Sequence, residues 1–311
     1  MVYDCFTFYN EFDVLEIRLA LLYDHVDFFV IAEADKTWRN NPKPLFFNEQ
    51  SQRFAKYSDK IKHIIVYDLP NDKDPWLLEA FQRNALARGL TECNDNDTIF
   101  ICDVDEIWDP RILLECSVFP SRIEMPFYYY TLNYRVNSLW IYPLICTYAD
   151  VKGSTLNDLR QKSGVPAIFH YKNTDTSFHL SFLYGTDYKA YITKIESFSH
   201  AEFDRPWAKN ENHIRCCIKY GIDIFLRPGV TLTYHKQKTV MQQLKGIPVQ
   251  KYYYRRTFFS RMPSFTDCKA LFRMYLQRKY PLINYNNPTV NTLKFIFVQW
   301  FKNLKSKIKN Q

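Results

Sequence analysis

The chain has 311 residues, of which 47% are apolar and 24% are charged, and its formal net charge is +8. These proportions are ordinary for a globular protein, and the length is enough to bury a large core in one domain or in two closely joined ones. The sequence excludes a membrane-spanning helix, because no run of about 18 apolar residues occurs.

The eight cysteines form no recognisable framework. There is no C-x-x-C pair and no zinc-type spacing, and Cys5 and Cys102 lie within apolar runs. Such residues are expected to be small buried thiols, which points to a reducing cytoplasm. The chain does not open with a basic segment followed by an apolar stretch, so no signal peptide is predicted.

Four strands and two helices are predicted in the first half of the chain. β-Branched and aromatic residues mark the strands, and apolar residues at helical spacing mark the helices. In chain order the elements are strand 2–9, a helix from Asn10, strands 25–34 and 61–69, a helix over 76–89 that Gly89 closes, and strand 97–108. This order predicts an α/β fold with a mostly parallel sheet.

The second half is more irregular. Aromatic residues alternate enough over 122–148 to predict antiparallel strands. Short strands are predicted at 167–171 and 177–184, a polar loop or short helix at 153–164, and helices at 188–198 and 207–220. The chain is therefore divided into a domain over 1–235, with halves 1–110 and 111–235, and a helical C-terminal extension over 236–311.

The C-terminal extension is strongly basic. Residues 236–311 contain sixteen Lys or Arg and one acid, Asp267. Apolar residues recur at helical spacing between Leu293 and Ile308 beside several lysines, as in an interfacial amphipathic helix. We expect this tail to hold a cytoplasmic protein at the inner face of an anionic membrane. A helix docked on the domain is the alternative, and a basic tail also suits nucleic acid.

The segment DTIFICDVDEIWD, residues 97–109, carries the clearest chemical signal. A short apolar run predicts a buried strand, and Asp103, Asp105 and Glu106 follow it directly. Ligands bind at the carboxyl ends of strands in open α/β sheets, and carboxylate oxygens suit Mg²⁺ or Mn²⁺, which in turn suit phosphate. We therefore predict a metal-diphosphate site; the alternative is a solvated acidic loop.

A metal at a strand end, in an α/β half followed by an aromatic half, fits transfer of a sugar from a nucleotide-sugar. The metal would neutralise charge on the leaving nucleotide, and a carboxylate or imidazole would deprotonate the acceptor hydroxyl. A nucleotide-sugar hydrolase or a nucleotidyltransferase could use the same site. A non-catalytic nucleic-acid-binding protein is a further alternative, which would leave the acidic cluster unexplained.

Several spaced motifs together resemble glycosyltransferase family 17, in its bacterial or viral branch, over about residues 1 to 225. They are FYNEFDVLEIRLALLYDHVDFFVIAEA, KPLFF, WLLEAFQRN, CDVDEIWD, SFHLSF and KIESFSHAEF. The resemblance implies a GT-A-like, inverting, metal-dependent transferase. Its expected donor is a UDP-sugar, with N-acetylglucosamine as the best guess. Its expected acceptor is a glycan hydroxyl, possibly lipid-linked, in surface polysaccharide, lipopolysaccharide or glycoprotein glycan synthesis; no nucleic acid is expected as a partner.

The resemblance also assigns metal ligands. Asp103 and Asp105 match the D-x-D element, with Asp105 the stronger candidate, and His179 matches the histidine of a W-H-x-S element. Phe178 replaces the Trp of that element, which leaves the neighbouring ring stack in doubt. These three side chains are the expected ligands of Mn²⁺ or Mg²⁺, and a satisfied core histidine is the alternative for His179.

Five side chains are expected to bind the nucleotide-sugar donor: Glu33, Arg83, Asp103, Glu106 and His200. The alternatives are a loop salt bridge for Glu33, a solvated helix arginine for Arg83 and a helix-start carboxylate for Glu106.

An inverting transferase needs one base beside the acceptor oxygen, and a carboxylate is the usual choice. Glu202 is the preferred candidate, with Asp204 and Asp187 as rivals. Each of the three could instead be a surface acid.

Overall fold

The computed structural model describes residues 1–169, 177–235 and 264–279. The chain divides into two compact units, one formed by Met1–Asp204 with Thr231–Tyr254 and the other by Arg205–Val230 with Arg255–Gln311. The predicted boundary at residue 235 stays a prediction. The predicted amphipathic helix between Leu293 and Ile308 lies outside the described residues.

A parallel sheet forms the centre of the first unit. Its strands are β1 (Val2–Thr7), β2 (Phe28–Ala34), β3 (Ile61–Val66) and β4 (Thr98–Asp103). They lie in the order β3-β2-β1-β4 and all pair in parallel. Thr7 of β1 pairs with both Ala32 and Asp103, so the carboxyl ends of β2, β1 and β4 share one edge. The predicted α/β architecture and parallel first half are confirmed.

Helices α1 (Phe12–Leu22) and α3 (Pro75–Ala85) bury apolar side chains in the same unit. The start of α3 is fixed by its sequence: the Asp74 carboxylate accepts the Trp76 N–H at 3.0 Å, and Pro75 occupies the first helical turn. A 3₁₀ turn over Leu86–Gly89 extends α3. A Cβ on Gly89 would lie 2.5 Å from Cγ1 of Val30, so this glycine allows the turn to approach β2.

The other strands enlarge the sheet beyond β4. They are β5 (Glu106–Ile107), β6 (Ser121–Tyr129), β7 (Thr131–Trp140), β8 (Leu144–Thr147), β9 (Ala167–Phe169), β10 (Phe178–Ser181) and β11 (Leu232–Tyr234). β8 pairs antiparallel with β4, and β6 pairs antiparallel with β7 and β8. β10 places His179 opposite Glu106 on one side and Phe127 on the other. The predicted antiparallel strands are confirmed.

Shorter helices complete the first unit. They are α2 (Phe46–Glu49), α4 (Ile112–Glu115), α5 (Tyr148–Lys152), α6 (Leu156–Gln161) and α7 (Tyr188–Ser197), with 3₁₀ turns at Tyr23–His25, Ser51–Lys60 and Ala201–Phe203.

The second unit contains α8 (Glu211–Tyr220) and α9 (Phe265–Lys279). Asp267 of α9 is fully buried and pairs with Arg215 at 2.6 Å and Lys219 at 2.8 Å on α8. The one acid of the basic extension therefore joins these two helices.

All eight cysteines lie in the described ranges, and each is a free thiol. Across those ranges, every helix is too short or too polar to cross a membrane.

Candidate active site

A buried arginine shapes the turn that carries the predicted metal ligands. Arg18 of α1 forms a two-point ion pair with Asp4 of β1, at 2.7 Å through Nε and 2.5 Å through Nη2. Its Nη1 donates to the carbonyls of Asp103, Val104 and Glu106 at 3.1, 3.3 and 2.6 Å. Neither charged side chain reaches solvent. One guanidinium therefore satisfies three carbonyls of a turn that would otherwise leave them unpaired.

Asp103, the last residue of β4, lies between two arginines. Its Oδ1 accepts from Nη2 of Arg83 at 3.1 Å, and its Oδ2 accepts from Nη2 of Arg160 at 2.8 Å. Burial alone would raise the pKa of Asp103, but the charges of Arg160 and Arg83 outweigh it and hold that pKa well below its usual range. The carboxylate is thus ionised and bound on both oxygens, while its side chain stays 30% exposed.

Glu106 is enclosed by protein donors. Arg160 reaches both of its oxygens, at 2.6 and 2.9 Å, and the indole Nε1 of Trp140 donates to Oε1 at 2.5 Å. Oε2 also accepts the N–H of Asp103 at 2.7 Å. The Glu106 side chain is fully buried and accepts four hydrogen bonds, two of them from the charged Arg160. It therefore holds both the turn and Arg160 in place.

Asp105 lies among residues from three other segments. Its Oδ1 is 3.5 Å from Nε2 of His179 on β10, and its Oδ2 is 3.3 Å from Nζ of Lys194 on α7. Nζ of Lys194 is also 3.3 Å from Oε1 of Glu11, which precedes α1. Burial would lower the pKa of Lys194, but the nearby Tyr184, Asp105 and Glu11 raise it, so the ammonium stays charged.

His179 packs against two aromatic rings. The ring centroids of Phe127 and Trp140 lie 4.4 and 4.1 Å from that of its imidazole. Burial lowers the pKa of His179 to about 4 even though the Asp105 carboxylate opposes the shift. The imidazole is therefore neutral at neutral pH, which is the form that binds metals.

Buried polar atoms without hydrogen-bond partners concentrate near this edge of the sheet. Within the described residues nine such side-chain atoms occur, and native proteins keep few of them. Four of them belong to residues that follow β1 or β2, namely Asn10, Asp35, Arg39 and Asn40. Three more belong to residues that lie beside Asp103, Asp105 or Lys194, namely Arg83, His179 and Tyr184. A polar ligand at the carboxyl edge would give these atoms partners.

The other predicted donor and base residues lie in different surroundings. Glu33 is fully buried and accepts the N–H of Phe47 at 2.9 Å, with His63 at 3.2 Å and Lys43 at 3.7 Å. These contacts hold the segment after β2 in place. They also give the Glu33 carboxylate protein partners, so it does not need a nucleotide as a partner. The prediction that Glu33 binds the donor stays untested.

The predicted residues that flank α7 are more exposed. Nδ1 of His200 is 2.7 Å from Oε1 of Glu202, and both side chains are about half exposed. Asp187 caps α7 by accepting the N–H of Ala190 at 3.2 Å. Asp204 directly follows the Ala201–Phe203 turn and is the last residue of the first segment of the first unit. The structure thus brings Arg83, Asp103, Asp105, Glu106 and His179 into one cluster and pairs His200 with Glu202.

The donor set near Asp105 fits a divalent cation that takes most of its ligands from a substrate. Across the described part of the chain, no group of three or more His, Cys, Asp or Glu side chains is arranged to hold a metal. Mg²⁺ and Mn²⁺ at nucleotide sites commonly use only one or two carboxylates, with waters and phosphates as the remaining ligands. Asp105 and the neutral His179, whose Nε2 is 3.5 Å from Oδ1 of Asp105, supply such a pair.

Comparison with known proteins assigns the family. The sequence model of glycosyltransferase family 17 matches residues 1–250. The chain belongs to glycosyltransferase family 17. The β-1,4-mannosyl-glycoprotein 4-β-N-acetylglucosaminyltransferases of Rattus norvegicus and Homo sapiens are each 27% identical to it over 167 residues, and that of Mus musculus is 26% identical. The alignments cover 51% of this chain but only 30 or 31% of the relatives, so the chain spans under a third of their length.

Four residues of this family 17 chain that hold the site were missed from the sequence. Arg18 and Lys194 stand inside the motifs that carry the family resemblance, but neither was given a role. Trp140 and Arg160 lie in an aromatic strand and a polar helix with no local signal. Asp4 gave the one usable hint, because a carboxylate inside an apolar strand needs a buried partner.

Proposed function

We propose that this chain is a glycosyltransferase that binds a nucleotide-sugar donor at the carboxyl edge of β1, β2 and β4. Family membership supports the reaction class. The observation that carries the placement is that Arg83, which contacts Asp103, and His179, which contacts Asp105, each keep a buried polar atom without a partner among the described residues, at the edge where α/β sheets bind ligands. A diphosphate would supply the missing partners.

Asp105 and His179 would hold a Mn²⁺ or Mg²⁺ ion together with oxygens of the donor diphosphate. Such a cation supplies Lewis-acid stabilisation of the charge that develops on the leaving nucleoside diphosphate. Asp103 contributes less as a direct ligand, because Arg83 and Arg160 already occupy both of its oxygens. Its role in this proposal is to fix the two arginines at the edge of the site.

Protein side chains perform the remaining work at the donor. Arg18 and Glu106 keep the turn that presents Asp105, and Phe127 and Trp140 fix the plane of His179. Lys194 carries a positive charge 3.3 Å from Asp105, close to where the diphosphate would lie. This arrangement favours an anionic ligand, because the positive side chains are pre-oriented by the fold.

The donor is proposed to be UDP-N-acetylglucosamine, and the acceptor a glycan hydroxyl. The relatives from rat, human and mouse are named as N-acetylglucosaminyltransferases, which supports that sugar. Inversion and a GT-A-like fold are part of the same proposal. A nucleotide-sugar hydrolase would consume the donor at a comparable rate without an acceptor, so the two activities separate in one assay.

The test measures nucleoside-diphosphate release from a panel of UDP-sugars with Mn²⁺, with and without glycan acceptors. We expect acceptor-dependent release that Asp105→Asn abolishes. Asp95→Asn is the matched control, because Asp95 is an exposed carboxylate paired with Lys152 at the surface. Release that ignores the acceptor would favour the hydrolase, and equal rates in both variants would count against the proposed site.

Membrane association is a second part of the proposal and rests on the sequence of the basic extension alone. The amphipathic pattern between Leu293 and Ile308 would bind anionic lipid and bring the enzyme to a membrane-bound acceptor. Removing residues 293–311 should release the protein from vesicles that contain phosphatidylserine. Undiminished binding of the shortened protein to these vesicles would contradict this part of the proposal and would not affect the proposed donor site.

A further inference from the structure

An exposed aromatic ring lies beside the His200–Glu202 pair. Trp76 is in the first turn of α3 and is 46% exposed. Its ring meets that of His200 edge to face, with centroids 4.6 Å apart and planes at 85°. A large exposed ring held in this way offers an apolar face and a polar rim in one place.

The hydrogen bond to Glu202 fixes the tautomer of His200. With the Glu202 carboxylate 2.7 Å from Nδ1, the proton lies on Nδ1, and the lone pair of Nε2 is left for an incoming group. Partial burial would raise the pKa of Glu202, but the hydrogen bond with His200 lowers it, so Glu202 is an ionised orienting group. This is the arrangement of a carboxylate that positions a general base.

Arg39 borders the same pair. Its Nε donates to the carbonyl of Phe198 at 2.9 Å, and its buried Nη2 has no partner among the described residues. The charge of Arg39 also helps to lower the pKa of Glu202. A buried guanidinium nitrogen without a partner is a donor that a hydroxyl of a bound sugar would satisfy.

The cluster lies at the carboxyl edge of the sheet, which is also the edge of the proposed donor site. Arg39 follows the carboxyl end of β2, and Trp76 begins the helix that follows β3. α7 connects the two places, since its Lys194 contacts Asp105 and its last turn leads directly to Phe198 and His200. A second substrate could therefore meet the donor from this direction.

We propose that Trp76, Arg39, His200 and Glu202 form the acceptor subsite, with His200 as the general base. This inference rests on the proposed function. The face of a sugar ring packs on Trp76, and Nε2 of His200 accepts the proton of the reacting hydroxyl. That oxygen forms the new bond to the anomeric carbon of the donor. The bond from this carbon to the diphosphate oxygen breaks, and its electron pair leaves with the nucleoside diphosphate.

This assignment changes the role predicted for Glu202. Glu202 orients the base rather than acting as the base itself, and His200 serves the acceptor rather than the donor. Asp187, which caps α7, has no part in the step.

The test compares His200→Ala, Glu202→Gln and Trp76→Ala with two exposed controls, His25→Ala and Leu77→Ala. Transfer to a glycan acceptor should fall about 10²- to 10⁴-fold in His200→Ala, and added imidazole should restore part of it. Trp76→Ala should raise the acceptor KM about tenfold, because the acceptor binds about tenfold more weakly without the ring. The donor KM should not change. The controls should match the wild type.

Thermal shift with UDP-N-acetylglucosamine and Mn²⁺ provides a second readout. The donor should stabilise all variants equally, because the subsite does not touch the donor. Wild-type transfer rates in His200→Ala would overturn the subsite alone. Loss of the donor-induced shift in His200→Ala would overturn it as well, by placing His200 at the donor. If the wild type neither binds the donor nor transfers, the proposed function fails first and the subsite with it.

Discussion

Nη1 of Arg18 donates to the backbone carbonyl of Glu106 at 2.6 Å, although the two residues are 88 positions apart in the chain. The same guanidinium is paired with Asp4 in a region that water does not reach. The first helix and the first strand therefore determine the conformation of the turn that presents Asp105.

Arg18→Met should lower the free energy of unfolding by about 3–5 kcal/mol, because it removes the cationic partner of the buried Asp4 carboxylate and leaves it the neutral indole N–H of Trp108, at 2.9 Å. The double variant Asp4→Leu/Arg18→Met should regain part of that loss. Urea unfolding measures both. If the double variant is no more stable than the single one, the buried charge is not the cause.

The same double variant separates stability from positioning. It still lacks the donor to the three turn carbonyls, so we expect it to lose stabilisation by UDP-N-acetylglucosamine with Mn²⁺ even where it folds. A wild-type donor shift would contradict this role for Arg18.

Gly89→Ala should destabilise the chain by about 1–3 kcal/mol, because the new Cβ would lie 2.5 Å from Cγ1 of Val30. Adding Val30→Ala should reduce the combined cost below the sum of the two single changes, since it removes the clashing methyl groups. Gly153→Ala is the control, as its Cβ would meet nothing closer than 3.8 Å. If the stability losses of the two single variants simply add in the double variant, the clash with Val30 is not the cause of the Gly89→Ala loss.

Gly89 also illustrates how far the sequence could lead. Local pattern predicted every strand of the parallel sheet and its two longer helices, α1 and α3, but not the short α2, because apolar spacing and turn residues are local signals. The glycine itself was expected to close a helix, whereas α3 ends at Ala85 and Gly89 is required for contact with β2. Contacts of that kind depend on tertiary packing, which no local pattern encodes.

The candidate site divides in the same way. Asp103 and Asp105 were predicted because a buried strand ends directly before them. Arg160 was not predicted, since its partners Asp103 and Glu106 lie more than fifty positions away. The family motifs included Arg18 and Lys194 without stating what either one contacts.

His179 should make stability depend on pH. Its pKa is about 4 in the folded chain and about 6.5 in an unfolded one, so only the unfolded state takes up a proton between these values. Stability should therefore fall as the pH drops from about 6.5 to about 4, by up to about 3 kcal/mol. His213, buried in the second unit with a pKa also lowered to about 4, adds a similar loss.

His179→Gln should remove its share of this dependence, while the exposed His25→Gln should leave it intact. Urea unfolding at pH 7.5, 6, 5 and 4 gives the comparison. An unchanged slope in His179→Gln would show that His179 is not held neutral by burial.

Lys194→Met should strengthen Mn²⁺ binding in the absence of nucleotide by about tenfold, because the ammonium competes for Oδ2 of Asp105. Lys62→Met is the matched control, since Lys62 pairs with the exposed Glu92. Isothermal titration of each protein with MnCl₂ measures the affinity. Equal or weaker binding in Lys194→Met would argue that the metal is held without displacing this lysine.

The central claim is that Asp105 joins a divalent cation to a nucleotide-sugar at the carboxyl edge of the sheet. Thermal shift with UDP-N-acetylglucosamine, with and without Mn²⁺, tests it in the wild type, Asp105→Ala and Asp95→Ala. We expect the melting temperature to rise only when both ligands are present, and only in the wild type and Asp95→Ala. A rise of the same size in Asp105→Ala, or none in the wild type with any nucleotide-sugar, would contradict the claim.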